Sequence, residues 1–324
     1  MLKHRKLFFV LLLILSIFAP WFFYPIFLMK ILCFALFASA FNLLLGYTGL
    51  LSFGHAAFFG GGGYLCGYII RDLGQSPEFG ILGGTLFATL LGVVMGGLAI
   101  RRQGIYFAMI TMALAQMLYF IFLQMDFTGG EDGMQGIPRG VFLGLLDLQV
   151  DMHMYYLVLG FCLVAFAVIA RVTESPFGKI LFAIKENEPR AISLGYRVDH
   201  FKLLAFVLSG ALAGLAGSLQ ALMMGFETLS DAHWTMSGLV ILMTLVGGVG
   251  TLFGPMIGAL VITVLEHKVG EIGTWIFNIT QIEWFRSLGE SVTIVTGLIF
   301  VVCVMAFRRG IVGEYLAKIQ SHSK

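Results

Sequence analysis

Charge is what this sequence has least of. Only 12% of its 324 residues are Asp, Glu, Lys or Arg, about half the share of an ordinary soluble domain. So small a charged complement excludes a water-solvated globule. The net charge of +2 implies no surface for nucleic acid. Cysteine is scarce too. Cys33, Cys66, Cys162 and Cys303 each sit in an apolar run, and no two show metal-ligand spacing, so they read as buried packing residues. No Gly-x-x-x-x-Gly-Lys-Ser/Thr sequence is present to cradle nucleotide phosphates. No nucleophile–base pair or metal cluster suggests a membrane enzyme. Acids and bases are nearly missing from the interiors of the apolar runs, with Glu266 and Glu290 at their ends. That argues against an ion-coupled secondary transporter or channel, which needs buried ionisable relays.

What is present is apolar. Hydrophobic residues make up 59% of the chain, and its mean hydropathy is +0.93. Hydrocarbon tolerates apolar side chains on every side of a helix. The 41 glycines let such helices approach closely. Runs of membrane-spanning length fall at 7–28, 30–47, 50–70, 80–100, 104–124, 154–171, 203–224 and 291–307. A further apolar region, 237–265, is interrupted by Gly247, Gly248, Gly250, Gly254 and Pro255. It reads as two short helices, 237–248 and 252–266, that meet at a glycine-rich turn inside the protein. Lys3, Arg5 and Lys6 before an apolar run resemble a signal peptide. The position of Pro20 and the next apolar stretch favour an uncleaved first span.

Basic residues set an expected orientation. They cluster at the N-terminus, at Arg101 and Arg102, in the 171–202 loop and in the 308–324 tail, all of which are placed in the cytoplasm. The 125–153 loop holds Asp126, Glu131, Asp132, Asp147 and Asp151 against Arg139 and is placed outside. Its acids are too few for a calcium loop. They suit a docking surface or a plain solvated loop. Alternation across the spans is consistent if 237–266 crosses twice, which makes about ten transmembrane helices. A re-entrant 237–248 would remove one crossing. The fold class expected is an all-α polytopic membrane protein with glycine-interrupted short helices, a single transmembrane domain over 1–324. The stretches 49–55 and 250–255 echo each other, as repeated transporter halves do.

The 171–202 loop is the one long cytoplasmic connection expected. Ser175 and Pro176 suit one helix start, Asn187 or Glu188 with Pro189 another, and Gly195 a stop. Ala191 and Leu194 are expected on one face of the second helix, with Glu188 and Arg190 solvated. Its apolar face needs the membrane surface, the protein's own spans, or a partner.

Lys185-Glu186-Asn187-Glu188-Pro189-Arg190-Ala191-Ile192-Ser193-Leu194-Gly195, with the Gly210–Gly217 stretch after it, resembles the ATPase-docking loop of branched-chain amino acid ABC importer permeases. The stretches 42–55, 104–116, 128–136 and 245–255 are similar to further motifs of that family, in the same order, and the M-type permease is the nearest subgroup. The resemblance covers about residues 30 to 310. It implies the ten-span type II importer architecture and a non-enzymatic transport subunit of the bacterial inner membrane. It also implies a second permease subunit, two cytoplasmic ATPases that hold ATP and Mg²⁺, and a periplasmic solute-binding protein. The chain itself would carry no cofactor and no metal. The solute would be a branched-chain or related amino acid, or, within the same family, urea or a short amide. Lys185, Glu186, Asn187, Glu188, Pro189, Arg190, Ala191, Leu194 and Gly195 would form the ATPase-coupling segment.

A zwitterion crossing a membrane needs polar partners, often free backbone groups at broken helices. Ser52, Gly54 and His55 at the first break, Gly247, Gly248 and Gly250 at the second, and Thr111 and Gln116 in the fifth span are candidates for the path. Each has a packing reading beside the functional one. Gly63 and Gly67, Gly92 and Gly96, Gly210 and Gly214, and Gly254 and Gly258 have the spacing of helix contacts.

Overall fold

The structure is a computed structural model and describes residues 15–280, 297, 301 and 310–314. The part of the first span before residue 15, most of the span at 291–307, and Glu290 and Cys303 lie outside the described residues.

Proline and glycine set the helix ends. Pro25, Pro77 and Pro176 open helices, where a missing N–H costs nothing, and the residue before each is extended. Helix α1 (Pro25–Thr48) therefore starts at Pro25, and the expected boundary near residue 29 moves to 22–24. It stops at Gly49, whose φ of 76° is left-handed. Helix α2 (His55–Arg71) follows a six-residue non-helical stretch and not a continuous run from 50. Next come α3 (Pro77–Ala99), α4 (Ile105–Gln124) and α5 (Asp151–Glu174). The 171–202 loop holds two short helices, α6 (Pro176–Glu186) and α7 (Glu188–Ser193). After it run α8 (Val198–Met224), the four-residue α9 (Leu229–Ala232), α10 (Trp234–Gly247) and α11 (Gly254–Thr280). The helix expected to be short at 252–266 is thus 27 residues long. The interruption at 248–253 shortens only its predecessor, α10, to 14 residues.

Among the described residues, five helices are long and apolar enough to cross a membrane: α1, α3, α4, α5 and α8. Burial separates them into layers. The most apolar windows of α1 and α8 are 72% and 67% buried, against 33% in each of the other three. Helices α1 and α8, with the shorter and largely buried α2, are therefore the core. The others present apolar outer faces, such as Leu82, Leu86, Leu90 and Leu98 of α3, which only lipid or another membrane subunit can cover.

Small residues set the distance between core helices. An added Cβ at Gly62 would strike the Gly214 backbone, and one at Gly217 would overlap the Phe59 carbonyl. Ser218 Oγ donates to the Gly62 carbonyl at 3.1 Å across the same seam. The spacings at Gly210 and Gly214 and at Gly254 and Gly258 are likewise true close approaches.

At the end of the bundle remote from the 171–202 loop, two short ladders form. Strand β1 (Met134–Gln135) pairs with β4 (Phe226–Glu227), and β2 (Val141–Phe142) with β3 (Leu146–Asp147), both antiparallel. Arg71 ties this cap down through the Phe127 carbonyl at 3.0 Å. Arg139 pairs with Asp151 and donates to the Met223 carbonyl near the end of α8, each at 2.7 Å.

Replacing Gly217 by Val should lower stability by roughly 1–3 kcal/mol or prevent folding, as overpacking does. Gly97, with open space around it, should accept Ala with no loss. Thermal unfolding in detergent, followed by size-exclusion fluorescence, checks both.

Candidate functional site

The first break, 49–54, begins at one end of α1 and delivers the start of α2 to the middle of the bundle. His55 Nε2 meets Ser209 Oγ at 2.8 Å, and Ser209 is the twelfth of the 27 residues of α8. The Ser209 hydroxyl donates its hydrogen to the Ala40 carbonyl at 2.5 Å. His55 therefore donates through Nε2, which leaves Nδ1 as an acceptor without a partner among the described residues. The ring is fully buried and lies edge-on to Phe41 at 4.9 Å and Phe58 at 5.5 Å.

Each turn of this stretch is closed by a side chain. The Leu50 N–H bonds to Thr48 Oγ1 at 3.3 Å, Phe53 N–H to Thr111 Oγ1 at 3.2 Å, and Gly54 N–H to Ser52 Oγ at 3.1 Å. The Ala56 N–H, in the first turn of α2, reaches Ser237 Oγ of α10 at 2.8 Å. A buried N–H left open here would cost several kcal/mol. Ser52, Gly54, His55 and Thr111 are thus brought together, with the Thr111 carbonyl 3.1 Å from where a Gly54 Cβ would stand. Gln116 is half-buried on α4, and its Oε1 has no hydrogen-bond partner among the described residues.

The second break is held by a residue that sequence reasoning quoted only as part of a motif. Asn42 of α1 accepts from the Gly250 N–H at 2.8 Å and donates to the Thr251 carbonyl at 2.9 Å. Thr251 Oγ1 in turn donates to the Gly248 carbonyl and accepts from the Gly254 N–H, at 2.8 and 3.0 Å. Gly248 and Gly250 have φ of 124° and 76°, which require glycine here. Gly247 is a contact residue: a Cβ there would overlap the Gly254 carbonyl. A Cβ on Gly46 would stand 2.8 Å from the Gly250 nitrogen, so the turn rests on the backbone of α1.

The 171–202 loop meets the same end of α1. Ser175 caps α6 by accepting from Gly178 N–H at 3.4 Å, and Asn187 caps α7 by accepting from Arg190 N–H at 3.0 Å. Gly195, with φ of 87°, ends α7. Its N–H bonds to the Ile192 carbonyl at 2.9 Å and the Tyr196 N–H to the Ala191 carbonyl at 3.2 Å, a Schellman closure. Lys185 Nζ donates to the Gly46 carbonyl at 2.8 Å, one turn before the first break and against Gly250 of the second.

Two expectations for this loop need correction. Ala191 and Leu194 do not share a face: Ala191 is buried against Ile184 and Val198, while Leu194 is 69% exposed. Leu194 lies past the last helical residue, so helical periodicity no longer governs it. Nor is Glu188 solvated. Its Oε1 pairs with buried Lys202 Nζ at 2.7 Å and accepts from Gln103 Nε2 at 2.8 Å. The pairing lies 14 residues apart and across elements, out of reach of a local pattern. Glu186, Pro189 and Arg190 are exposed, as are Ile192, Leu194 and Tyr196.

Beneath the β1–β4 ladder lies a cavity of about 340 Å³. Its charged lining, Lys30, Asp231 and Glu266, comes from α1, α9 and α11. Glu266 was expected at a span end; helix α1 begins five residues before the expected span of 30–47 and carries Lys30 inside. Next to it, Glu227 is buried against Gly63. Burial, reinforced by the Asp231 carboxylate, pushes its carboxyl well above the usual range.

A bundle of apolar helices broken twice at its centre, with a capped helical loop locked to its core helix, defines a multi-pass membrane permease. Residues 24–304 match the family described as branched-chain amino acid transport system / permease component, and the chain belongs to that family. It is 26% identical over 257 residues to the high-affinity branched-chain amino acid transport system permease protein LivM of Escherichia coli strain K12. That alignment covers 72% of this chain and 60% of LivM. LivM of Salmonella typhimurium strain LT2 is 25% identical with the same coverage. The autoinducer 2 import system permease protein LsrC of Yersinia pseudotuberculosis is 26% identical over 62% of this chain and 58% of its own. The chain thus spans about 60% of the length of the relatives it matches. No solved structure matches it.

Asn42→Leu should lower stability by about 1–3 kcal/mol, because the Gly250 N–H and Thr251 carbonyl lose their partner. Asn42→Gln keeps both an acceptor and a donor and should lose less. Thermal unfolding of the purified variants in lipid nanodiscs measures the order.

Proposed function

We propose that the chain is the membrane-spanning permease subunit of an ATP-driven importer that carries branched-chain or related amino acids into the cytoplasm. The LivM likeness supports the solute class. The single observation that carries the mechanism is the anchoring of the 171–202 loop. Lys185 grips α1 at Gly46, and Glu188 grips α8 through Lys202. These are the two most buried of the five long helices, and α1 ends at the first break and clamps the second through Asn42. Outside this anchor, Ile192, Leu194 and Tyr196 leave an apolar surface open.

The chain supplies no ATP chemistry; it receives motion. An ATPase that seats Leu194 and its neighbours would push α7, and the two anchors would pass the push to α1 and α8. The Asn42 clamp and the Ser237 bond to α2 would carry it to the breaks, so that they rearrange as a unit between inward-open and outward-open states. In this reading Ser52, Gly54, His55, Thr111, Gln116, Gly247, Gly248 and Gly250 line or position the moving seam. Ten spans in the bacterial inner membrane, both termini in the cytoplasm, a second permease subunit, two ATPases that hold ATP and Mg²⁺, and a periplasmic binding protein complete the proposal. A solute of another class is the second reading, which the LsrC likeness favours.

Leu194→Asp and Gly195→Pro should leave a folded, membrane-inserted protein while ATP-driven leucine uptake by the assembled transporter falls about tenfold or more. Uptake at the wild-type rate in both variants would sink the coupling role. Competition of that uptake by leucine, isoleucine, valine and urea identifies the solute class.

A further inference from the structure

The cavity beneath the β1–β4 ladder has a chemistry that the coupling mechanism does not use. Its volume, about 340 Å³, lies at the small end of the range for small-molecule sites. It suits one amino acid better than a peptide. It lies near the opposite end of α1 from the Lys185 anchor, about 24 Å along the helix from Gly46 to Lys30.

Three features of its wall point to one ligand class. Lys30 and Glu266 both face the space, yet no direct ion pair joins Lys30 to Glu266 or to Asp231 among the described residues. Lys30 attracts Glu266 and Asp231 across the space, but no contact closes it, so room remains for a ligand with both signs. The Asp231 carboxylate is already engaged, since its Oδ2 accepts from the Thr228 N–H at 3.2 Å and from the Thr228 hydroxyl at 2.5 Å. Gln220 is 7% exposed and lines the cavity, and its Oε1 has no hydrogen-bond partner among the described residues. A buried carbonyl oxygen left open is costly unless a donor arrives. The remaining wall is apolar, with Phe34, Met236 and Leu239.

We propose that this cavity is a binding site for a single zwitterionic α-amino acid with an aliphatic side chain, within this one permease chain. The carboxylate pairs with the Lys30 ammonium. The ligand's ammonium donates to Gln220 Oε1 and to the Glu266 carboxylate. Its side chain rests on Leu239, Met236 and Phe34. A neutral solute needs neither charge, whereas a zwitterion gives Lys30 and Glu266 each a direct partner. The inference rests on the amino acid reading above and adds where in the chain the solute pauses.

The test is a saturation-transfer NMR titration of the full-length chain in lipid nanodiscs with leucine, isocaproate, which lacks the amine, and isoamylamine, which lacks the carboxylate. Wild type should bind leucine about tenfold or more tightly than either analogue. Lys30→Met should weaken leucine about tenfold while isoamylamine binding holds. Glu266→Gln and Gln220→Leu should also weaken leucine and should weaken isoamylamine, with isocaproate unaffected. Leu239→Phe should weaken leucine but not alanine, a change of preference that misfolding cannot produce. Unchanged leucine affinity in Lys30→Met and Gln220→Leu, or no leucine binding by wild type, overturns the site. ATP-driven leucine uptake by the assembled wild-type transporter separates the two claims: if uptake is present while the titration fails, the permease reading stands and the site falls. If uptake is absent, the amino acid reading fails first.

Discussion

In a membrane, every backbone N–H and C=O must find a partner inside the protein. This protein breaks its helices twice near the core, so each break has to be repaired by side chains. Thr48, Ser52, Thr111 and Ser237 close the first. Asn42 and Thr251 close the second. These repairs bind the breaks to helices α1, α4 and α10. A break cannot change shape without moving the helix that satisfies it, and this links the centre of the bundle to its surface.

The loop that links α5 to α8 uses the same logic in reverse. Its helices are short and capped by Ser175, Asn187 and Gly195, so it holds a defined shape without crossing the membrane. Its anchors are a lysine on a helix carbonyl and a largely buried ion pair. Removing one partner of such a pair strands the other charge. That gives the loop a stiff grip on α1 and α8 and leaves Ile192, Leu194 and Tyr196 exposed.

Much of this was readable from residue order. The positions of the spans from α3 to α8, both breaks, the helix starts at Ser175 and Asn187 and the stop at Gly195 follow from apolar length, proline and glycine. These are local signals, and the structure agrees with them. The boundary ahead of α1 was misplaced because an apolar run continues through 22–24 and hides Pro25 as the true start. The length of α11 was underestimated because Glu266 and His267 look like an end, although one charge facing a cavity does not stop a helix. The face of Leu194 was misjudged because it lies beyond the end of α7.

By itself, the sequence determined a polytopic helical membrane protein of this permease family, with interrupted helices and a helical loop at 171–202, since hydropathy and turn chemistry act over neighbouring residues. Tertiary structure alone decided which side chains repair the breaks, that Glu188 is paired with Lys202, and that Lys30, Gln220 and Glu266 border one cavity. Those residues lie far apart in the chain and meet only when glycine seams bring the helices together. No local pattern encodes that distance.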